Sequence, residues 1–174
     1  MAGAVVLIVI AVIHPLGTLV SMPNTNYMGE TGTLTLDGSA WLKEQKPDEY
    51  NALCWLRETA KNGGEVVLEA PGDAYSYSSR VSAFTGLPTV IGWRTHEMMW
   101  GGRKGGVDID QRCADSDGMY TEGAQEPLAK YHVRYIFVGE TEQERYGSAL
   151  ETLAGCEGIE LAYRSGKTCV YRVI

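Results

Sequence analysis

The chain has few of the residues from which metal and redox sites are usually built. It contains only three histidines, and its four cysteines (Cys54, Cys113, Cys156 and Cys169) include no Cys-x-x-Cys pair. Zinc ribbons and thioredoxin-type sites need such closely spaced pairs, so both classes are excluded, and we expect no metal and no cofactor. Cys156 and Cys169 flank a predicted hairpin and are the pair best placed for a disulfide, which the sequence does not require.

Basic residues are also scarce. The 15 lysines and arginines are outnumbered by 22 aspartates and glutamates, which gives a formal net charge of -7. A surface of that sign repels phosphate backbones, so nucleic acid is excluded as a partner. The 44% of hydrophobic and 21% of charged residues are close to globular averages, and 174 residues suffice for one domain with an appendage.

The first 22 residues contain no Lys, Arg, Asp or Glu. The run from Ala2 to Ile13 is apolar apart from glycine, and the apolar character resumes after His14-Pro15. About 20 such residues at about 1.5 Å each span a hydrocarbon core, so the pattern predicts a transmembrane helix over residues 1–22. The alternatives are a signal peptide, which would need a positive start and a cleavage site, and a buried helix. An uncharged start also suggests that earlier spans lie outside this chain.

The remainder divides into a linker, residues 23–39, and one domain, residues 40–174. The linker is rich in turn formers, whereas the domain alternates predicted helices and short strands. The predicted helices are 47–60, 108–119 and 126–131, and the predicted strands are Val66–Leu68, Thr89–Ile91, Tyr135–Val138 and a C-terminal hairpin over 159–173. This order predicts a single α/β domain with a mixed sheet that ends in an antiparallel hairpin.

Three short motifs suggest chemistry, and each has a simpler interpretation. His96-Glu97-Met98-Met99-Trp100 begins like a zincin helix, but Trp100 replaces its second histidine. Asp108-Ile109-Asp110 has the carboxylate pair of a metal-diphosphate site, although acidic residues at a helix N-terminus explain it better. The stretch 101–106, Gly-Gly-Arg-Lys-Gly-Gly, lacks P-loop spacing and is interpreted as a loop.

Six polar and aromatic residues form the candidate binding site, and they follow two predicted strands directly. They are Tyr75, Tyr77, Arg80, Trp93, His96 and Glu97. In α/β sheets such loops line binding crevices, and aromatic faces combined with charged groups suit a sugar. The alternative, which stays open here, is that these side chains hold a long loop against the domain.

An ordered series of motifs along the whole chain resembles the C-terminal region of the YYY family of uncharacterised polytopic membrane proteins. The matching segments are 36–41 (Leu-Asp-Gly-Ser-Ala-Trp), 47–50 with 55–56, 67–70, 75–77 with 80–82, 85–93 (Thr-Gly-Leu-Pro-Thr-Val-Ile-Gly-Trp) with His96-Glu97, and 131–139. One departure follows His96-Glu97, where the family has Gln-Trp-Arg-Gly and this chain has Met99-Trp100-Gly101-Gly102 with Arg103 next.

The YYY family is similar to the C-type membrane glycosyltransferases, which use a lipid-linked sugar donor. The resemblance implies a terminal membrane span with an extracytoplasmic domain that recognises substrate or has a structural role, while the catalytic acid lies in the missing core. It implies no catalytic residue in this chain, and a lipid-linked sugar or glycan, the membrane and the rest of the parent protein as partners. The alternative function is a free-standing, membrane-anchored interaction domain with no enzymatic role.

Overall fold

The computed structural model describes residues 2–21, 36–60, 64–102 and 108–174, and the chain divides into two units, Met1–Gln45 and Lys46–Ile174. The first unit contains helix α1 (Ala2–Ser21) and helix α2 (Ala40–Gln45). Among the described residues, no helix combines the length and the apolar character needed to cross a membrane. The transmembrane helix predicted over residues 1–22 is therefore not supported.

The predicted division of the chain into residues 1–22, 23–39 and 40–174 stays a prediction. The linker falls largely outside the described residues, which resume at Leu36. The structure begins its second unit at Lys46, just before the Pro47 that opens the next helix.

The second unit contains the sheet and the helices that cover it. In chain order its elements are α3 (Pro47–Thr59), β1 (Val66–Leu68), α4 (Arg80–Thr85), α5 (Arg94–Glu97), a π-helical turn (Met98–Gly102), α6 (Ile109–Glu122), α7 (Gln125–Lys130), β2 (Val133–Val138), α8 (Glu140–Tyr146), α9 (Ala149–Ala154), β3 (Ile159–Ser165) and β4 (Thr168–Val173). Pro47 starts α3 because its missing N–H costs nothing at a first helical turn.

The sheet is mixed, with strand order β1-β2-β4-β3. Strands β1 and β2 are parallel, β2 and β4 are antiparallel, and β3 and β4 form the C-terminal hairpin. The prediction of a mixed α/β sheet that ends in an antiparallel hairpin is confirmed. Because β1 and β2 are parallel, the loops that follow them emerge at the same edge of the sheet.

Helices cover both faces of the central strand β2, whose residues alternate between them. Tyr135 packs edge-on against Trp55 of α3, with ring centroids 5.9 Å apart. Ile136 points to the opposite side and belongs to the main hydrophobic core with Met119 of α6 and Leu153 of α9. A strand covered on both faces needs a nearly continuous apolar sequence, which is what Tyr-Ile-Phe-Val supplies.

Tyr120 of α6 ties the two parallel strands together. Its buried hydroxyl lies 2.6 Å from the carbonyl oxygen of Phe137 and 3.1 Å from that of Leu68. Its ring stacks on Tyr146 with centroids 4.4 Å apart. This tyrosine thus fixes the ends of β1 and β2, from which the candidate site is built.

One prediction on local structure is wrong. Thr89–Ile91 forms no strand, because Thr89 makes only an isolated parallel bridge to Val67 and the segment is confined between Pro88 and Gly92. The sequence did not require a disulfide between Cys156 and Cys169, and the thiols of both are free, as are those of Cys54 and Cys113.

Candidate functional site

A buried cluster of charges lies where the parallel strands end. The guanidinium of Arg80, which is only 2% exposed, faces Glu49 of α3, Glu69 just after β1, and Glu142 of α8. All three glutamates are buried as well. Four separate segments of the chain therefore meet around one cation, and the planar Arg80 group also lies 5.0 Å from the ring of Phe137.

Each glutamate of the cluster also accepts hydrogen bonds from outside it. Glu49 accepts from the hydroxyl of Tyr77 at 2.7 Å and from the backbone N–H of residue 140 at 2.8 Å. Glu142 accepts from the backbone N–H groups of residues 70 and 139, each at 2.9 Å, and from Arg80 at 2.5 Å. Buried carboxylates with several donors hold their segments in one arrangement.

Glu69 is the least satisfied member of the cluster. Its Oε2 accepts from the N–H of Val81 at 3.1 Å and lies 3.9 Å from Nη1 of Arg80. Its Oε1 and that Nη1 have no hydrogen-bond partner in the described part of the chain. Burial raises the pKa of Glu69 from 4.5 to about 7, against the opposing attraction of Arg80. One arginine therefore does not fully compensate three buried carboxylates.

The loop between β1 and α4 presents Tyr75 to solvent through a strained turn. The backbone N–H of Ser76 donates to the carbonyl of Asp73 at 3.2 Å, which closes a four-residue turn with Tyr75 at its third position. Tyr75 has a φ of 63°, a left-handed conformation that aromatic residues seldom adopt. Its side chain is nevertheless 84% exposed, so the strain does not serve to bury it.

The rings of Tyr75, Trp93 and His96 form an aromatic cluster in which Tyr75 is exposed and the other two are half-buried. Tyr75 lies 5.5 Å from Trp93 and 5.2 Å from His96, and Trp93 lies 5.1 Å from His96, all between ring centroids. The indole N–H of Trp93 donates to the carbonyl of Ser78 at 2.7 Å, which fixes this ring against the loop. Trp93 is thus held in place, while the ring of Tyr75 beside it is open to solvent.

A π-helical turn continues α5 and carries more exposed apolar side chains. Met99 is 79% exposed and Trp100 is 85% exposed. Short π-helical segments are rare and are frequent at functional sites, because they displace side chains from the regular helical pattern. Arg94 of α5 is fixed to Asp110 of α6 by a 2.6 Å ion pair.

A cleft of about 170 Å³ lies beside this turn. It is lined by residues from the segment between α4 and α5, from α5 with its π-helical turn, and from α6, namely Val90, Ile91, Glu97, Gly101, Ile109 and Arg112. Its base is apolar, since Val90, Ile91 and Ile109 are buried. Glu97 and Arg112 place one carboxylate and one guanidinium at its surface.

The structure separates the six candidate residues into two groups. Tyr75, Trp93 and His96 come together in the aromatic cluster, and Glu97 follows on the same helix and lines the cleft. Tyr77 and Arg80 instead contact the buried glutamates. Burial and the hydrogen bond to Glu49 raise the pKa of the Tyr77 phenol well above its usual range, so it stays protonated.

The motif at Asp108 has the role expected of a helix N-terminus. Its carboxylate accepts from the N–H of Gln111 at 2.9 Å, as an N-cap does. Within the described ranges no three His, Cys, Asp or Glu side chains are arranged to hold a metal ion. The glycine-rich stretch over residues 101–106 lies mostly outside the described residues.

Sequence patterns did not reveal Glu49, Glu142 or Arg112. Glu49 sits in the first turn of α3, where an acidic residue is explained by the helix dipole alone, and Glu142 has the same position in α8. Glu69 could have been found from the sequence, because it follows a buried strand directly. A charged residue at that position lies at the edge of the sheet where the parallel strands end.

Comparisons with known proteins give a similarity in fold but none in sequence. No protein-family model matches the chain, and no curated protein matches it in sequence, so membership of the YYY family stays a prediction. In fold the chain resembles the C-terminal globular domain of an oligosaccharyltransferase from Archaeoglobus fulgidus, with a TM-score of 0.44 and 12% identity. The match covers 82% of this chain and 99% of that one.

Proposed function

We propose that the aromatic cluster of Tyr75, Trp93 and His96 binds the sugar ring of a glycan or of a lipid-linked sugar. The observation that carries this proposal is the exposed Tyr75 ring, held in a left-handed turn beside a fixed Trp93. A sugar presents an apolar C–H face and a rim of hydroxyls. Exposed aromatic faces stack on the former, and the neighbouring His96 and Glu97 offer hydrogen bonds to the latter.

The buried charge cluster supports the site without contacting a ligand. Arg80 and Tyr77 join the loop before α4 to α3 and α8, so the turn that presents Tyr75 starts from a fixed base. Rigid support reduces the entropy lost when a ligand binds. In this proposal Tyr77 and Arg80, which the sequence suggested as ligand contacts, act as positioning residues.

The wider context of the proposal comes from the sequence resemblance. We propose that the chain is an extracytoplasmic, non-catalytic part of a glycosyltransferase-like membrane protein, and that it contributes substrate recognition. A parent protein with its own catalytic core would need the tail only to hold the acceptor or the glycan. The exposed aromatic rings suit that task, because stacking binds sugars without reacting with them.

The test is a titration of the 174-residue chain with neutral oligosaccharides and a polyprenyl-phosphate sugar analogue, followed by NMR of the indole N–H groups. We expect the Trp93 signal to shift, and we expect Tyr75→Ala to weaken binding by about tenfold, as the loss of a stacking ring does. The control is Leu161→Ala on β3, an exposed apolar side chain at the opposite edge of the sheet. An unshifted Trp93 with every sugar would refute the proposal.

A second candidate function is a non-enzymatic interaction domain, and the exposed Met98, Met99 and Trp100 favour it. Adjacent exposed apolar side chains of this kind mark surfaces that bind other proteins. Replacing Met99 and Trp100 with serine should then reduce the size of the native complex in gel filtration of solubilised membranes. An unchanged complex size together with sugar binding at Trp93 would leave the first function alone.

A further inference from the structure

The cleft beside the π-helical turn is lined by two charged residues, Glu97 and Arg112, that have no ionic partner among the described residues. Arg112 lies on α6, half-buried, and its Nη1 donates to the carbonyl of Val90 at 2.9 Å. Its guanidinium also lies 5.2 Å from the ring of Tyr131. Among the described residues no carboxylate pairs with it, although four other arginines in that part of the chain have such a partner.

The position of Arg112 in the cleft makes it informative. Four of the eight arginines in the described part of the chain have a carboxylate partner, and of the other four only Arg112 lines the cleft. The contact with Val90 and the ring of Tyr131 fix the Arg112 group while leaving its other N–H groups for something else. A fixed guanidinium in a cleft is well suited to a planar carboxylate, which it binds through two parallel hydrogen bonds.

Glu97 adds a second requirement. This exposed residue lines the same cleft, and a carboxylate accepts hydrogen bonds without being able to donate any. A ligand there needs hydroxyl or amide donors for Glu97 in addition to an anionic group for Arg112. A second negative charge on the ligand would be repelled by Glu97, which disfavours a phosphate monoester relative to a carboxylate.

The size and base of the cleft limit the ligand further. A volume of about 170 Å³ is below the about 300 Å³ at which pockets for drug-sized molecules begin, so a single ring fits better than a chain of rings. The apolar base formed by Val90, Ile91 and Ile109 suits the C–H face of such a ring.

We infer that this cleft binds one acidic sugar unit, a uronate, with its carboxylate on Arg112 and its hydroxyls on Glu97. The inference rests on the proposed function, because it names the chemistry of one sugar unit within the ligand. Glu97 lies one residue after His96 on α5, so the cleft and the aromatic cluster share an element. A glycan with a uronate next to a neutral sugar would therefore engage both.

The test compares glucuronate, glucose and glucose 6-phosphate on the 174-residue chain, with methyl signals of Val90, Ile91 and Ile109 monitored by NMR. We expect glucuronate to bind about tenfold or more tightly than glucose, as a charge-assisted pair predicts. Arg112→Gln should abolish that preference, and Arg112→Lys should retain only part of it. Glucose 6-phosphate should bind more weakly than glucuronate.

The outcomes separate this inference from the proposed function. Equal binding of glucuronate and glucose, or a glucuronate affinity unchanged by Arg112→Gln, would overturn the inference while leaving sugar stacking at Tyr75 intact. Glucuronate binding that shifts the cleft methyls and depends on Arg112, together with a Trp93 signal that no neutral sugar shifts, would support the cleft and refute the stacking site. If Arg112→Gln fails to fold, the methyl shifts of the wild-type chain decide alone, since the absence of shifts overturns the inference.

Discussion

Replacing Glu69 with glutamine should change how the stability of the chain depends on pH. Burial raises the pKa of this carboxyl from 4.5, its value in an unfolded chain, to about 7 in the fold. Below pH 4.5 both states carry the proton, and the group has no effect on stability. Between pH 4.5 and pH 7 the unfolded chain releases the proton first, so the free energy of unfolding falls as the pH rises.

The size of this effect follows from the shift. A change from 4.5 to about 7 corresponds to a loss of about 3 kcal/mol in the free energy of unfolding once the pH exceeds 7. Glutamine resembles the protonated acid in shape and charge and does not titrate. We therefore expect Glu69→Gln to match the wild-type chain near pH 4.5 and to be more stable by about 3 kcal/mol at pH 8.

The assay is urea unfolding followed by far-ultraviolet circular dichroism at several pH values from 4.5 to 8. The quantity to compare is the difference between the wild-type chain and the variant, because the titration of groups outside the cluster cancels in it. The control is Glu144→Gln on α8, an exposed residue whose replacement should leave the pH dependence unchanged. If the difference between wild type and Glu69→Gln were the same at pH 4.5 and pH 8, the account of the cluster would be wrong.

Three further predictions concern the same cluster and the exposed turn. Arg80→Met leaves buried carboxylates without their cation and should lower the free energy of unfolding by about 3–5 kcal/mol in urea titrations, whereas the exposed Arg57→Met should change it by less than about 1. Gly139→Ala places a methyl group 2.3 Å from a carboxylate oxygen of Glu49 and should lower the free energy of unfolding by about 1–3 kcal/mol in the same assay. The control is Gly118→Ala, in open space within α6, which should raise that free energy by up to about 1 kcal/mol. Tyr75→Asn introduces a residue type that tolerates a left-handed turn, so thermal unfolding should show a stability change within about 1 kcal/mol. The affinity for neutral sugars should fall about tenfold. A large loss of stability would show that the ring has a packing role instead.

The parts of the fold that the sequence predicted are those set by local patterns. The helix at Pro47, the buried strand Val66–Leu68 and the C-terminal hairpin each have boundary residues and periodicity of their own, and the structure confirms all three. The short helices α4, α8 and α9 were not predicted, because segments of six or seven residues carry too little periodic pattern. Their stability depends on packing against the sheet.

The candidate site shows the same division. Tyr75, Trp93 and His96 could be proposed from the sequence because aromatic residues on loops after strands are uncommon unless they bind or pack. The sequence did not decide whether these rings are exposed or packed, because an aromatic residue on a loop gives no periodic pattern in either case. The pairing of Arg80 with three glutamates 31, 11 and 62 positions away from it depends on contacts that no local pattern records.

By itself, the sequence determined the class of this chain and the composition of its candidate site. Net charge, strand and helix periodicity and the turn residues required an acidic α/β domain with a terminal hairpin, because these are properties of short segments. The tertiary structure decided which side chains are available. It directed Arg80 and Tyr77 inward to the glutamates, left Tyr75 and Trp93 at the surface, and brought Arg112 to the cleft beside Glu97. The physical reason is that burial and pairing of charges depend on segments distant in sequence, which meet only when the sheet is complete.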